Sequence, residues 1–140
     1  MLTTLIEVRT GDAEQVVDIT ARCAELAAEA GAVDGLLNVF VPHATAGVAV
    51  LETGSGSDTD LLAVLRVLLP PEGPRGEGWR HHHGSVGHGR DHVLPALVSP
   101  SVTVPVLDGR LALGTWQSVC LVDTNVDNRV RQVRISLLTG

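Results

Sequence analysis

The chain has no lysine, no tyrosine and no apolar run long enough to span a bilayer; two cysteines and three aromatic rings are all it carries of those types. Without an amine, Schiff-base chemistry and a P-loop lysine are excluded. All ten basic residues are arginine, so an anion has to be held by guanidinium forks, backbone N–H groups or a metal. With only Phe40, Trp79 and Trp116, a base-stacking platform for single-stranded nucleic acid is not expected. The core must come from Val, Leu, Ile and Ala. A net charge of −6 argues against a general grip on DNA or an anionic membrane. No signal peptide is recognisable, so the cytoplasm is the expected compartment. Cys23 and Cys120 fall inside apolar patterns, which reads as buried thiols in a reducing compartment.

Histidine is what the chain has instead. Five of its six histidines lie between His81 and His92, in the run His81-His82-His83-Gly84-Ser85-Val86-Gly87-His88-Gly89-Arg90-Asp91-His92, and His43 stands far upstream. Histidine is the commonest metal ligand and titrates nearest neutral pH. Three neutral imidazoles with one open position make a catalytic-type zinc site. The spacing fits no zinc finger and no HExxH helix, and a solvated polyhistidine loop remains the plain alternative.

The 140 residues suit a single domain over 1–140, large enough to bury about two-thirds of its unfolded surface. Residues 2–8 alternate as a first strand, and Gly11-Asp12 marks a turn. Asp18 is placed to cap a helix over 19–30 that Gly31 closes. Residues 35–41 form a strand so continuously apolar that both its faces are expected to be covered. A strand over 47–53 ends near Glu52. Ser57 opens a second helix with Asp58 and Asp60 in its first turn and an apolar stripe of Leu61, Leu62, Leu65, Leu68 and Leu69. From Pro71 to the histidines the chain reads as a long loop, a type that is usually functional or disordered. Residues 92–98 allow a short helical turn despite Pro95.

Strands follow over 102–106 and 111–113, with Asp108-Gly109 between them as a two-residue hairpin signal. Further strands lie over 118–122 and 130–138, the last alternating Val133, Ile135 and Leu137 against Arg131, Arg134 and Ser136. The fold class is α+β: an antiparallel β-sandwich or pseudo-barrel with two main helices.

Outside the histidines the residues leave two readings each. Glu52 is a general base or a strand-end carboxylate in water. Trp116 and Gln117 form a pocket wall or subunit interface, or core packing. Asn128-Arg129 and Arg131 hold an anion or decorate a solvated surface.

The pattern as a whole resembles the YjbQ-like family. His43-Ala44-Thr45-Ala46 with Glu52 is similar to its His-Thr-Thr/Ser-Ala…Asn-Glu stretch, and Trp79-Arg80-His81 to its Tyr-x-His. His92 stands where the family has a histidine opening the segment before the last sheet. Pro105-Val106, Asp108-Gly109-Arg110-Leu111 and Leu113-Gly114-Thr115-Trp116-Gln117 resemble its most specific signature, and Asp127-Asn128-Arg129 with Arg131 one branch's ending. The resemblance covers essentially the whole chain.

It implies a YjbQ-like α+β fold, a homotrimer, and a pocket of histidines able to hold a divalent metal, often zinc. It also implies a weak thiamine-phosphate synthase activity in some members, joining a pyrimidine diphosphate to a thiazole phosphate. Carried over by position, His43, His81 and His92 are the metal ligands and Glu52 the carboxylate near them. Trp116 and Gln117 support the pocket, and Arg129 contacts an anion or small phosphorylated molecule. Departures at Ala44, Leu51, Ser55 and Val86 remove polar groups from that site. His88 offers a substitute ligand, and His82 or His83 a competitor of His81. The alternative function is a non-catalytic metal- or anion-binding module, with neither nucleic acid nor membrane as partner.

Overall fold

A computed structural model describes residues 1–31 and 33–140. Two antiparallel sheets curl around a shared core as a half-barrel, giving the expected α+β architecture. The strands are β1 (Leu2–Arg9), β2 (Gln15–Asp18), β3 (Gly35–Phe40), β4 (Ala46–Leu51), β5 (Ser101–Leu107), β6 (Arg110–Leu111), β7 (Ser118–Asp123) and β8 (Val130–Thr139). The helices are α1 (Thr20–Glu29), α2 (Ser57–Leu68) and two single turns, α3 (His88–Asp91) and α4 (Leu94–Leu97). The larger sheet runs β1-β8-β3-β5-β6 and the smaller β2-β7-β4.

The two faces of the smaller sheet explain why β7 is apolar throughout. On one face Ala46, Val48, Val119 and Leu121 join the main core with Leu37, Val39, Val133, Ile135 and Leu137 of the larger sheet and Cys23, Leu26 and Ala27 of α1. On the other, Val122 meets Leu65 and Leu69 from α2 and its end, and Leu94 and Val98 from α4 and its end. A strand covered on both sides loses the alternation that a half-solvated strand shows. Both cysteines are free and buried, and burial pushes their thiols up to about 12.

The hairpin between β5 and β6 takes the expected geometry. Asp108 (φ 50°) and Gly109 (φ 72°) both lie in the left-handed region that a two-residue primed turn requires. Helix α1 begins one residue later than expected. Asp18 ends β2, an element too short to stand out in the sequence, and its Oδ1 accepts from the Thr20 N–H at 2.9 Å and the Thr20 hydroxyl at 2.6 Å.

Three expectations are corrected. The outer side of β3 is uncovered within the chain, with Leu36 51% and Phe40 41% exposed. Leu68 is exposed rather than part of the packed stripe of α2, because Leu65 and Leu69 already fill the contact with the smaller sheet. Arg131 faces inward with Val133 and Ile135 instead of outward with Arg134. Its guanidinium meets Asp123 through two hydrogen bonds, of 2.7 and 2.9 Å, and Thr45 Oγ1 at 2.9 Å. A fully buried arginine needs such a partner, because an unpaired charge there would be prohibitively costly. Among the described residues no helix is long and apolar enough to cross a membrane.

Candidate metal centre

The segment between α2 and α4 is ordered by its own hydrogen bonds. The Gly73 N–H donates to the Pro70 carbonyl and the Gly78 N–H to that of Glu72. Trp79 Nε1 donates to the Pro70 carbonyl at 2.9 Å, and the indole packs beside the second apolar cluster. Gly89 completes the arrangement. A Cβ at that position would overlap the His81 carbonyl and the Trp79 side chain, so only glycine lets α3 lie this close to the loop. That approach brings the rings of His81 and His92 to 4.0 Å between centroids.

His88 and His92 are one helical turn apart, and α3 puts both on one face. Their Nε2 atoms are 3.0 Å apart. His81 and His83 come in from the loop, and ligand nitrogens from His81, His83, His88 and His92 all lie within 4.8 Å of one another. A tetrahedral zinc, bonded at about 2.0–2.1 Å, would set its ligands about 3.3 Å apart. His88 and His92 come close to that spacing, and the exposed His81 and His83 rings lie beside them. An all-imidazole donor set suits zinc and similar borderline metals.

A second layer of polar groups holds the ligands from behind. His88 Nδ1 faces Asp127 Oδ2 at 2.7 Å. A carboxylate only accepts, so this contact favours the tautomer with the proton on Nδ1 and the Nε2 lone pair facing the cluster, although the Asn125 amide nitrogen also lies 3.0 Å from Nδ1. Asp127 is itself positioned by the Ser85 N–H and hydroxyl. The Ser85 N–H is the main reason its carboxyl is held below the usual range, with His88 adding to it. Asn125 donates to Asp91 Oδ2 at 3.0 Å, and Thr124 to Asp91 Oδ1 at 2.6 Å. Burial raises the Asp91 carboxyl above its ordinary value despite those bonds.

His81 and His92 are both held below the ordinary histidine value, first by desolvation and then by the neighbouring histidines, with Asp91 opposing the effect at His92. Neutral imidazole is the form that binds a metal.

The residues named from the sequence separate into two groups. The structure places His81 and His92 together, with His83 and His88 beside them. His43 lies outside that group, and its Nε2 accepts the Gln132 N–H at 2.9 Å. Desolvation lowers its pKa, with the Arg131 charge adding to the effect. Glu52 follows the far end of β4. The register pairs Ala46 with Asp123 and Leu51 with Ser118, so Glu52 is about 20 Å along the sheet from the end that carries the histidines. Trp116 is 73% exposed, and Gln117 turns its side chain back onto the Gly114 N–H. Arg129 is exposed, 4.0 Å from Asp12. None of Glu52, Trp116, Gln117 and Arg129 lines the cavities beside the cluster.

Sequence reasoning missed the supporting role of Asp91, Asn125 and Asp127. A visible signal was Thr124-Asn125, two polar residues continuing an otherwise apolar buried strand. The i, i+4 spacing of His88 and His92 was another.

A cavity of about 680 Å³ opens beside the cluster, lined in part by Arg75, Trp79, Arg80, His81 and His92.

Comparisons with known proteins bear on the family and the fold. Residues 4–140 match the family described as UPF0047 protein YjbQ-like. A UPF0047 protein of Mycobacterium bovis is 63% identical over 107 residues, covering 76% of this chain and 80% of its own. One from Archaeoglobus fulgidus is 31% identical over 136 residues, covering 95% and 98%. The fold is similar to a hypothetical protein of Aeropyrum pernix K1, with a TM-score of 0.86, 36% identity and complete coverage of both chains (100% each). It is also similar to a YbjQ-like protein of unknown function from Sulfolobus solfataricus P2, with a TM-score of 0.89, 24% identity and coverage of 99% and 97%.

Proposed function

The chain belongs to the YjbQ-like UPF0047 family, and on that footing we propose that it is a metal-holding protein whose site is formed by His81, His83, His88 and His92. The observation that carries this reading is the convergence of the four ligand nitrogens within 4.8 Å, backed by the Asp127 carboxylate on His88. Solvated loops do not ordinarily gather four imidazoles this closely and anchor one of them from behind. Zinc is the expected ion. His88 and His92 are half-buried and fixed by α3, and the loop contact at Gly89 fixes His81. Exposed His83 is then the ligand that can swing away and leave a position for substrate.

A bound ion of this kind supplies positive charge to offset that on a phosphoryl or diphosphate group. The resemblance points to one such reaction. In it a pyrimidine-methyl carbon leaves its diphosphate oxygen and bonds to the nitrogen of a thiazole phosphate, releasing diphosphate. A zinc-loaded sample that makes no thiamine phosphate above a His88→Ala control would remove this transferase reading. A non-catalytic module that binds a metal or anion is the second reading. It is favoured by the distance of Glu52 from the histidines and by the engagement of Asp91 and Asp127 in hydrogen bonds.

The metal reading itself is tested by titrating cobalt(II) or zinc(II) into untagged protein. One equivalent bound per chain, with the visible absorption of tetrahedral cobalt, is the expected result. No saturable binding would overturn it.

Assembly as a homotrimer is part of the same proposal. The outer face of the larger sheet exposes Leu5, Leu36, Phe40, Leu107 and Leu138, and a second copy of the chain would cover it. Light scattering should give three times the 14.7 kDa of one chain, and a monomer would overturn this.

A further inference from the structure

We infer that the cavity beside the imidazole cluster is an anion pocket in which Arg75 and Arg80, not Arg129, bind the phosphoryl group of a small phosphorylated molecule, with Trp79 against its organic part. This rests on the metal-centre reading for the placement of the ligand, and it adds the residues that would select it.

The cavity of about 680 Å³ is lined by Arg75 and Arg80 together with His81, His92 and Trp79. That volume suits a small organic ligand. The chain carries a net charge of −6, yet neither Arg75 nor Arg80 takes part in any ion pair among the described residues; Arg9, Arg110 and Arg134 share that property but do not line the cavity, whereas Arg22, Arg66, Arg90, Arg129 and Arg131 each have a carboxylate within 4.0 Å. Glu77 also lines the cavity without pairing with either. In a chain with an excess of acids, two guanidinium groups left unpaired beside a cluster of metal-type donors are free for an incoming anion.

The chemistry favours a phosphoryl group over a carboxylate. A guanidinium fork matches two oxygens of a phosphate, and two forks with a cation can satisfy the three oxygens of a phosphomonoester. The loop that carries both arginines is held by the Gly73 and Gly78 backbone bonds and by Trp79 on Pro70, so little ordering is required when the ligand enters. Trp79 offers an apolar wall with Pro74 and Val93. A ligand with a ring or short apolar body next to its phosphate therefore fits better than inorganic phosphate.

The test titrates phenyl phosphate, inorganic phosphate and benzoate into zinc-loaded protein and into the Arg75→Gln/Arg80→Gln variant, by calorimetry. Zinc stoichiometry and thermal stability are measured on both, so that a misfolded variant is recognised. Phenyl phosphate should bind saturably and more tightly than the other two, and the double variant should lose about tenfold or more in affinity with its zinc unchanged. Equal affinity in the variant, or no binding to a protein that does hold zinc, overturns the pocket and leaves the metal centre standing. If no zinc binds, the same titration is read on the metal-free protein. Arginine-dependent binding there keeps the pocket and removes the metal centre, and its absence removes both.

Discussion

His88 Nε2 lies 3.0 Å from His92 Nε2, one helical turn away on α3. Only one of the two nitrogens can carry a proton in a neutral contact at that distance. The Nδ1 proton of His88 is already directed at Asp127, so its Nε2 is a lone pair facing the second ring. With the His92 proton moved to its Nδ1, a cation between them would use both lone pairs at once.

Replacing either residue should therefore abolish tight metal binding. His88→Ala and His92→Ala are each expected to lose the bound cobalt and its visible absorption. His43→Ala should keep one equivalent per chain, because His43 is engaged with the Gln132 N–H outside the cluster. Loss of the metal in His43→Ala alone would return the ligand role to that residue.

Asp127 acts on the metal through His88. Asp127→Asn keeps the shape but replaces a charged acceptor with an amide, so the His88 tautomer is no longer imposed. The expected effect is about 10- to 100-fold weaker metal binding, with little change in thermal stability. An affinity within a factor of two of wild type would show that the contact is incidental.

The pH dependence follows from the depressed values of His81 and His92. Their folded values lie below the unfolded one, near 6.5. Between those values the unfolded chain binds more protons, so the metal-free fold loses stability as pH falls through that window. Metal binding competes with the same protons. Zinc should be retained at pH 7 and released as the pH drops below the depressed values. Release beginning above pH 7 would contradict neutral imidazoles.

Arg131 and Asp123 form a fully buried pair. Removing one partner leaves an uncompensated charge, and Asp123→Ala should cost about 3–5 kcal/mol in denaturant unfolding. Replacing both, as Asp123→Leu/Arg131→Met, should recover most of that loss. A double variant no more stable than the single one would mean the pair does more than neutralise itself, for instance by holding the Thr45 turn.

Much of the fold was legible because it depends on local pattern. The alternation of Val133, Ile135 and Leu137, the hairpin at Asp108-Gly109 and the two helices each follow from periodicity and turn chemistry within a short stretch. β2 was not legible, since four residues gain strand geometry only by pairing with β7. Nor was the inward turn of Arg131, because a polar residue is buried only when a distant partner, here Asp123, meets it. The site divides in the same way. Composition pointed to histidine and its crowding between 81 and 92, but the stretch reads as loop, and it is the helical turn α3 that puts His88 and His92 on one face.

By itself, then, the sequence determined which side chains could bind a metal, that no amine would take part, and that the frame would be an α+β sheet fold. The tertiary structure decided which imidazoles converge. Convergence depends on Gly89 allowing the loop onto α3 and on the β7–β8 corner presenting Asp127 to His88. It also left His43 and Glu52 out of the cluster. These are contacts between segments far apart in the chain, set by how closely backbones can pack, and no local spacing of residues encodes that distance.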